Sequence, residues 1–191
     1  HCFRSLGSQA TDHFWIASLI DYYLLTGDPD VYAGIRGLAR YAADHLTAIA
    51  FAKTNLREAS IAIMQCVDYY HVLHEEALLD AAAGMARQVV AEQHPDGWIP
   101  RVGHERAKSQ PPHMCGPSSL FGTLALEALT ALDEVRHDTA WRDAVYGQID
   151  WFLEKGLLPA KDGLASRPNT KGTRPEAAAG YPDGWFDYKL T

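Results

Sequence analysis

"VYAGIRGLARYA" at 31–42 and "LLDAAAGMARQV" at 78–89 decide the fold when one is laid over the other. At an offset of 47, Gly37 falls on Gly84, Leu38 on Met85, Ala39 on Ala86 and Arg40 on Arg87. Just upstream, "DYYLLTGD" (21–28) falls on "DYYHVLHE" (68–75), sharing Asp-Tyr-Tyr. A third copy follows at an offset of 110, where Trp141, Val145, Gly147 and Phe152 match Val31, Ile35, Gly37 and Ala42. Val31, Ile35, Leu38 and Ala42 are spaced as one face of an α-helix, and Leu78, Ala82, Met85 and Val89 repeat that face. The preceding helices carry Ile16, Leu19, Ile20 and Tyr23, matched by Ile63, Cys66, Val67 and Tyr70.

The links within each pair, "TGDPD", "LHEE" and "VRHDT", are so short that the helices must fold back as antiparallel αα-hairpins. The reading is therefore all-α, with hairpins at 12–46, 56–91 and 118–155 and helices at 12–26, 29–46, 56–73, 75–91, 118–136 and 138–155. Asp28-Pro29 supplies an N-cap with Pro at the first helical position. Long loops, 92–117 and 156–191, follow the second and third hairpins, and each contains Pro-Asp-Gly-Trp, in "HPDGW" (94–98) and "YPDGW" (181–185). Pro presets φ, Asp bonds its own backbone and Gly accepts φ > 0, so the motif is a turn made twice at the same kind of crossing. Trp98 is then either an apolar plug or a flat platform beside a cleft. The plug is favoured, with Trp185 the more exposed of the two.

A chain of 191 residues suits one domain with a real core. A net charge of −7 without a Lys/Arg cluster argues against nucleic acid as a partner, and charge interrupts every long apolar stretch, which argues against a membrane span. Cys2, Cys66 and Cys115 cannot all pair, and the start has no signal-peptide pattern, so a soluble and cytoplasmic protein is expected. His113-x-Cys115, with His1, Cys2 and His104 elsewhere, lacks any Cys-x-x-Cys or His-x-x-x-His support. No metal and no cofactor is expected.

Because the hairpins run the same way, the starts of their first helices share one end of the fold. That rim gathers Asp12 and His13, Arg57 and Glu58, and Ser118 and Ser119, and the long loops add Trp98, Arg101, His104, His113 and Trp185. Packed helices lie about 8–10 Å apart, so Asp12 and Glu58 can stand at a glycosidase-like separation. Both also have capping readings: Asp12 or Thr11 as an N-cap, and Glu58 with Asn55 in Asx-x-x-Glu spacing. Arg57 opposes the helix dipole and has no counterpart in the repeat, which marks it for ligand binding.

"TDHFWIASLIDYYLLTGDPDVYAGIRGLARYA", "NLREASIAIM" and "EQHPDGW" resemble the openings and turns of the six-hairpin glycosidase-like proteins of the α/α-toroid superfamily. The resemblance covers most of 10–155 and departs at Leu73-His74-Glu75, where "TGD" is missing. With three hairpins instead of six, it implies either about half of a toroid, with an apolar layer open at each end, or a compact variant of it. That layer would need the remainder of a longer chain or a partner subunit. It also implies a carbohydrate substrate. The expected activity is a glycoside hydrolase acting on an oligo- or polysaccharide, with Asp12, His13 and Glu58 as catalytic candidates. Trp15, Arg57, Trp98, Arg101, His104 and Trp185 are the substrate-binding candidates. Elimination from a uronate, with Arg and His as cation and base, is the alternative chemistry, and a non-catalytic binding scaffold is the alternative from another class.

Overall fold

The computed structural model describes residues 16–110, 115–158 and 163–164. Seven α-helices run through them: α1 (Ala17–Thr26), α2 (Pro29–Ala48), α3 (Leu56–Leu73), α4 (Glu76–Ala91), α5 (His104–Ala107), α6 (Ser119–Val135) and α7 (Thr139–Trp151). A 3-10 turn (Phe51–Lys53) links α2 to α3, and α7 widens into a π turn (Phe152–Gly156). The all-α reading holds for the helices. Residues 12–15 of the first expected helix lie outside the described residues, and the last one leaves α geometry at Trp151, earlier than 155. Past it, two strands of two residues each, β1 (Leu157–Leu158) and β2 (Gly163–Leu164), pair antiparallel.

The hairpin tips show why the chain reverses where it does. Gly27 ends α1 at φ 66, and its N–H returns to the Tyr23 carbonyl. Asp28 then caps α2, its carboxylate accepting from the Asp30 and Val31 amides, with Pro29 opening the helix. The second hairpin lacks the glycine, yet His74, at the same repeat position, takes the same left-handed turn at φ 53. A non-glycine residue there costs about 1 kcal/mol, and the ring's edge-on contact with Tyr70, 5.9 Å between centroids, helps hold it.

Burial follows the repeat. Ile35 and Ala42 in α2, Leu78, Ala82, Met85 and Val89 in α4, and Trp141 in α7 are all buried. α3 is packed against α2, α4 and α6; α2 also meets α4, α4 meets α7, and α6 packs on its partner α7. First helices α3 and α6 thus adjoin in one layer, and second helices α2, α4 and α7 follow one another in the other. Gly37 and Gly84, matched in the repeat, have nothing within 4 Å of where a Cβ would stand, so close packing is not what makes them recur.

The Pro-Asp-Gly-Trp turn is bolted to the third hairpin. Gly97, at φ 100, lies so close to α7 that a Cβ there would stand 2.3 Å from the Gly147 carbonyl oxygen. The Gln93 amide donates to the carbonyls of Gly97 (2.6 Å) and Ala144 (2.8 Å). The buried Gln148 side chain accepts the Ile99 N–H at 2.7 Å. The second copy of the turn lies outside the described residues.

Among the described residues, the large exposed apolar side chains sit in the first and last hairpins: Tyr22, Leu24 and Leu25 on α1, and Tyr146, Ile149 and Leu153 on α7 and its π turn. At the register of Tyr146 and Ile149, α4 carries Ala83 and Ala86, both 0 % exposed. No helix among the described residues is long and apolar enough to cross a membrane.

Gly97→Ala should therefore destabilise the protein by about 2–3 kcal/mol, from positive-φ strain and overpacking together. Gly34→Ala, in an open mid-helix position of α2, should raise stability by about 0.5–1 kcal/mol. Chemical denaturation of the two variants beside the parent reads both, and similar small effects would remove the Gly97–Gly147 contact as a constraint.

Candidate functional site

An antiparallel hairpin returns its second helix to the end from which its first began. The rim therefore holds the ends of second helices as well as the starts of first ones. Glu58, in the first turn of α3, shows the consequence. Its amide is capped by the Asn55 side chain at 2.8 Å, as the Asx-x-x-Glu spacing implied. Its carboxylate goes elsewhere than back to Asn55: Oε2 accepts from the Thr54 hydroxyl at 2.6 Å, and Oε1 faces His45 Nε2 at 3.3 Å, from the last turn of α2. The two side chains are only 15 % and 14 % exposed. A carboxylate only accepts, so His45 turns an Nε2–H toward it. Tyr41, one turn earlier on α2, stacks on His45 with centroids 6.0 Å apart. Burial first, and the nearby Glu58 charge second, push the Tyr41 phenol above its ordinary range.

A second imidazole–carboxylate pair stands at the matching place one hairpin on. Glu92 follows α4 at the repeat position of His45. Its Oε1 meets His104 Nδ1 and its Oε2 accepts the His104 backbone N–H, each at 2.8 Å. A backbone seam joins the two pairs: Gly103 N–H donates to the Thr54 carbonyl at 3.1 Å, and Leu56 N–H to the Arg101 carbonyl at 2.8 Å. Gly103 is required there, because a Cβ would stand 2.0 Å from the Phe51 carbonyl oxygen. α5 also lines an open depression of about 400 Å³ with Lys53, Glu105, Arg106, Ser109 and Gln110.

The remaining candidates divide. Arg57 is partly buried at the start of α3 rather than turned to bulk solvent. Arg101 lays its guanidinium over the Phe121 ring, 4.7 Å from the centroid, and so reaches the start of α6. Trp98 falls between plug and platform: its ring is half-buried against the Trp151–Phe152 cluster, and stacks on His94 at 4.7 Å. Ser118 is spent as the α6 N-cap, accepting the Phe121 N–H. Asp12, His13, Trp15, His113 and Trp185 lie outside the described residues. Among the described residues no three His, Cys, Asp or Glu side chains converge as a metal would need. Cys66 is buried, which pushes its thiol up to about 12.

His45, Tyr41, Thr54 and Glu92 are the rim residues that the sequence reading passed over. A signal was present: His45 and Glu92 share one repeat position, at the end of a second helix, and both are polar. Comparison of this chain with family models, curated proteins and solved structures gives no match.

Two outcomes follow from this geometry. Glu58→Gln should bring the Tyr41 phenol part of the way down, removing the carboxylate's share and leaving that of burial. Phenolate absorbance in an alkaline titration, with Tyr41→Phe to assign it, measures the shift, and an unmoved Tyr41 would separate the two groups. Trp98→Ala should cost about 3 kcal/mol, the scale of a large aromatic lost from a packed cluster. A thermal melt that hardly changes would instead make Trp98 a platform.

Proposed function

We propose that this chain is a carbohydrate-active enzyme of the α/α-toroid type, a glycoside hydrolase acting on an oligo- or polysaccharide across the rim. The observation that carries the reading is Glu58. It is a mostly buried carboxylate at the junction of α2 and α3, gripped by Thr54 and His45. A residue needed only to cap α3 would not require a second helix to bring an imidazole to it, since Asn55 already caps that turn.

The surroundings suit a sugar. Arg57 and Arg101 bring cationic side chains to the rim, His104 an exposed imidazole and Trp98 a partly exposed aromatic ring, and the depression beside α5 has room for a sugar ring. Glu58, already accepting from Thr54, is suited to take a proton or to attack, so hydrolysis calls for a separate acid. The toroid reading draws support from the two-layered hairpins and from the apolar side chains open at the first and last of them. Those faces are where the remainder of a longer chain, or a partner subunit, would continue the stack.

The test is a broad glycan panel assayed in parallel for new reducing ends and for unsaturated uronate products. New reducing ends that fall by at least about 100-fold in Glu58→Gln are the expected result, a general acid–base contribution. Unsaturated uronate would replace hydrolysis by elimination. Glycan binding without turnover would leave a scaffold, and equal activity of Glu58→Gln and the parent would remove Glu58 from the chemistry.

A further inference from the structure

We infer that this chain assembles head to tail with a second copy, the open flank of α7 in one protomer packing on the open flank of α1 and α2 in the next. The inference goes beyond the hydrolase and does not depend on it. It rests on how the hairpins already join one another.

The chain makes the same kind of joint twice, where α2 meets α4 and where α4 meets α7. In each, a glutamine of the later helix takes a backbone N–H from the link that leaves the earlier one. Gln88 accepts from Phe51 at 2.9 Å, and Gln148 accepts from Ile99 at 2.7 Å. These bonds mark the backward flank of α4 and α7, the side turned to the preceding hairpin. Arg36 marks the forward flank of α2, since its guanidinium reaches Glu75 at the start of α4, 3.6 Å away.

The repeat carries both flanks along the chain. Arg36, Ala39 and Ala43 become Ala83, Ala86 and Val90 in α4, and Tyr146, Ile149 and Leu153 in and after α7. Backward, Trp141, Ala144 and Gln148 correspond to Leu78, Ala81 and Met85 in α4, and to Val31, Gly34 and Leu38 in α2. Inside the chain the forward flanks are small, with Ala39, Ala83 and Ala86 buried, and the backward flanks are large, with Leu78, Met85 and Trp141 buried. Small against large is how facing layers interdigitate.

The two flanks left over are also small and large, with the sides exchanged. The forward flank of α7 is large and open, Tyr146 and Leu153 each being 58 % exposed. The backward flank of α2 holds Gly34, which is exposed and has nothing within 4 Å of where a Cβ would stand. Bulk at one end and room at the other fit each other, and neither fits itself. The first-helix layer agrees. Tyr22 and Tyr69 share one repeat position, yet Tyr69 within the stack is 1 % exposed and Tyr22 is 51 % exposed. What α1 lacks is a preceding hairpin, and the last hairpin of a second copy is one. A contact between two different faces is heterologous, so copies add until a ring closes.

Analytical ultracentrifugation of the 191-residue chain over a concentration series tests it. The parent should self-associate. Tyr146→Lys and Gly34→Lys both alter exposed positions and should melt no earlier than the parent. Each should weaken association by at least about 10-fold, the effect of a charge set into an apolar contact. Leu153→Lys and Leu25→Lys repeat the test on the two faces. Mixed together, Tyr146→Lys and Gly34→Lys should recover a two-chain species, because the intact α2 flank of the first meets the intact α7 flank of the second. A parent that stays a single chain throughout overturns the inference. Weakening by the α7 variants alone overturns it in favour of an α7-to-α7 contact, and a mixture that stays apart overturns the head-to-tail pairing. All of this is read without a glycan, so failure here leaves the hydrolase standing.

Discussion

α3 has almost no solvent face, and the rest of the structure is arranged to satisfy that. Leu56, Ala59, Ala62, Ile63, Cys66, Val67 and Tyr69 are buried around its circumference, with Ser60 and Gln65. A helix apolar on every side is stable in water only inside a layer of others, and α2, α4 and α6 provide it. The small residues Ala59, Ser60, Ala62 and Cys66 leave little bulk between axes. The start of α3 is thereby fixed against the end of α2, which is where Glu58 meets His45. The candidate site is a by-product of the core: the same packing that hides α3 delivers two polar helix termini to one place.

The helices were legible in the sequence because their signal is periodic and repeated. α3 matched its expected span to the residue, and Asn55 was recognisable as the cap of α3 from spacing alone. The site was legible only by halves. Glu58, Arg57, Arg101 and His104 stand out as charged residues near predicted helix starts, but which group each one meets depends on rotamers and on how far one helix end overhangs another. His45 sits in a stretch that reads as an ordinary helix terminus, and its partner is thirteen positions on. Glu92 looks like a solvated residue entering a loop. Nothing in the period of the apolar residues distinguishes either from surface charge. The repeat does, since both occupy one register position.

The tandem Pro-Asp-Gly-Trp motif shows the reverse case, where chemistry was legible and purpose was not. Its turn character follows from residue types. What it packs on is the α7 backbone at Gly147, fifty positions away, and it is the missing side chain of Gly97 that permits the approach, while a Cβ on Gly147 would press on the Gln93 amide. Gly147 aligns with Gly37 and, through it, Gly84. Only the third copy uses the space, so an inherited glycine has acquired a contact in one hairpin that its relatives do not make.

Stacked hairpins that touch only their neighbours tend to come apart unit by unit when the joints are weak. Here the joint between the second and third units is made of backbone: Gln93 and Gln148 each reach across it to main-chain groups, and Gln148 is 1 % exposed. Breaking it would strand buried amide groups without partners, a cost that scattered apolar contacts do not impose. The second and third hairpins should consequently exchange their amide hydrogens as one cooperative block. α1, which leans chiefly on α2 and leaves Leu24 and Leu25 in water, should open on its own at lower cost. The molecule is thus graded in rigidity from its first hairpin to its last two, and Glu58, the group proposed to work on substrate, belongs to its cooperative part.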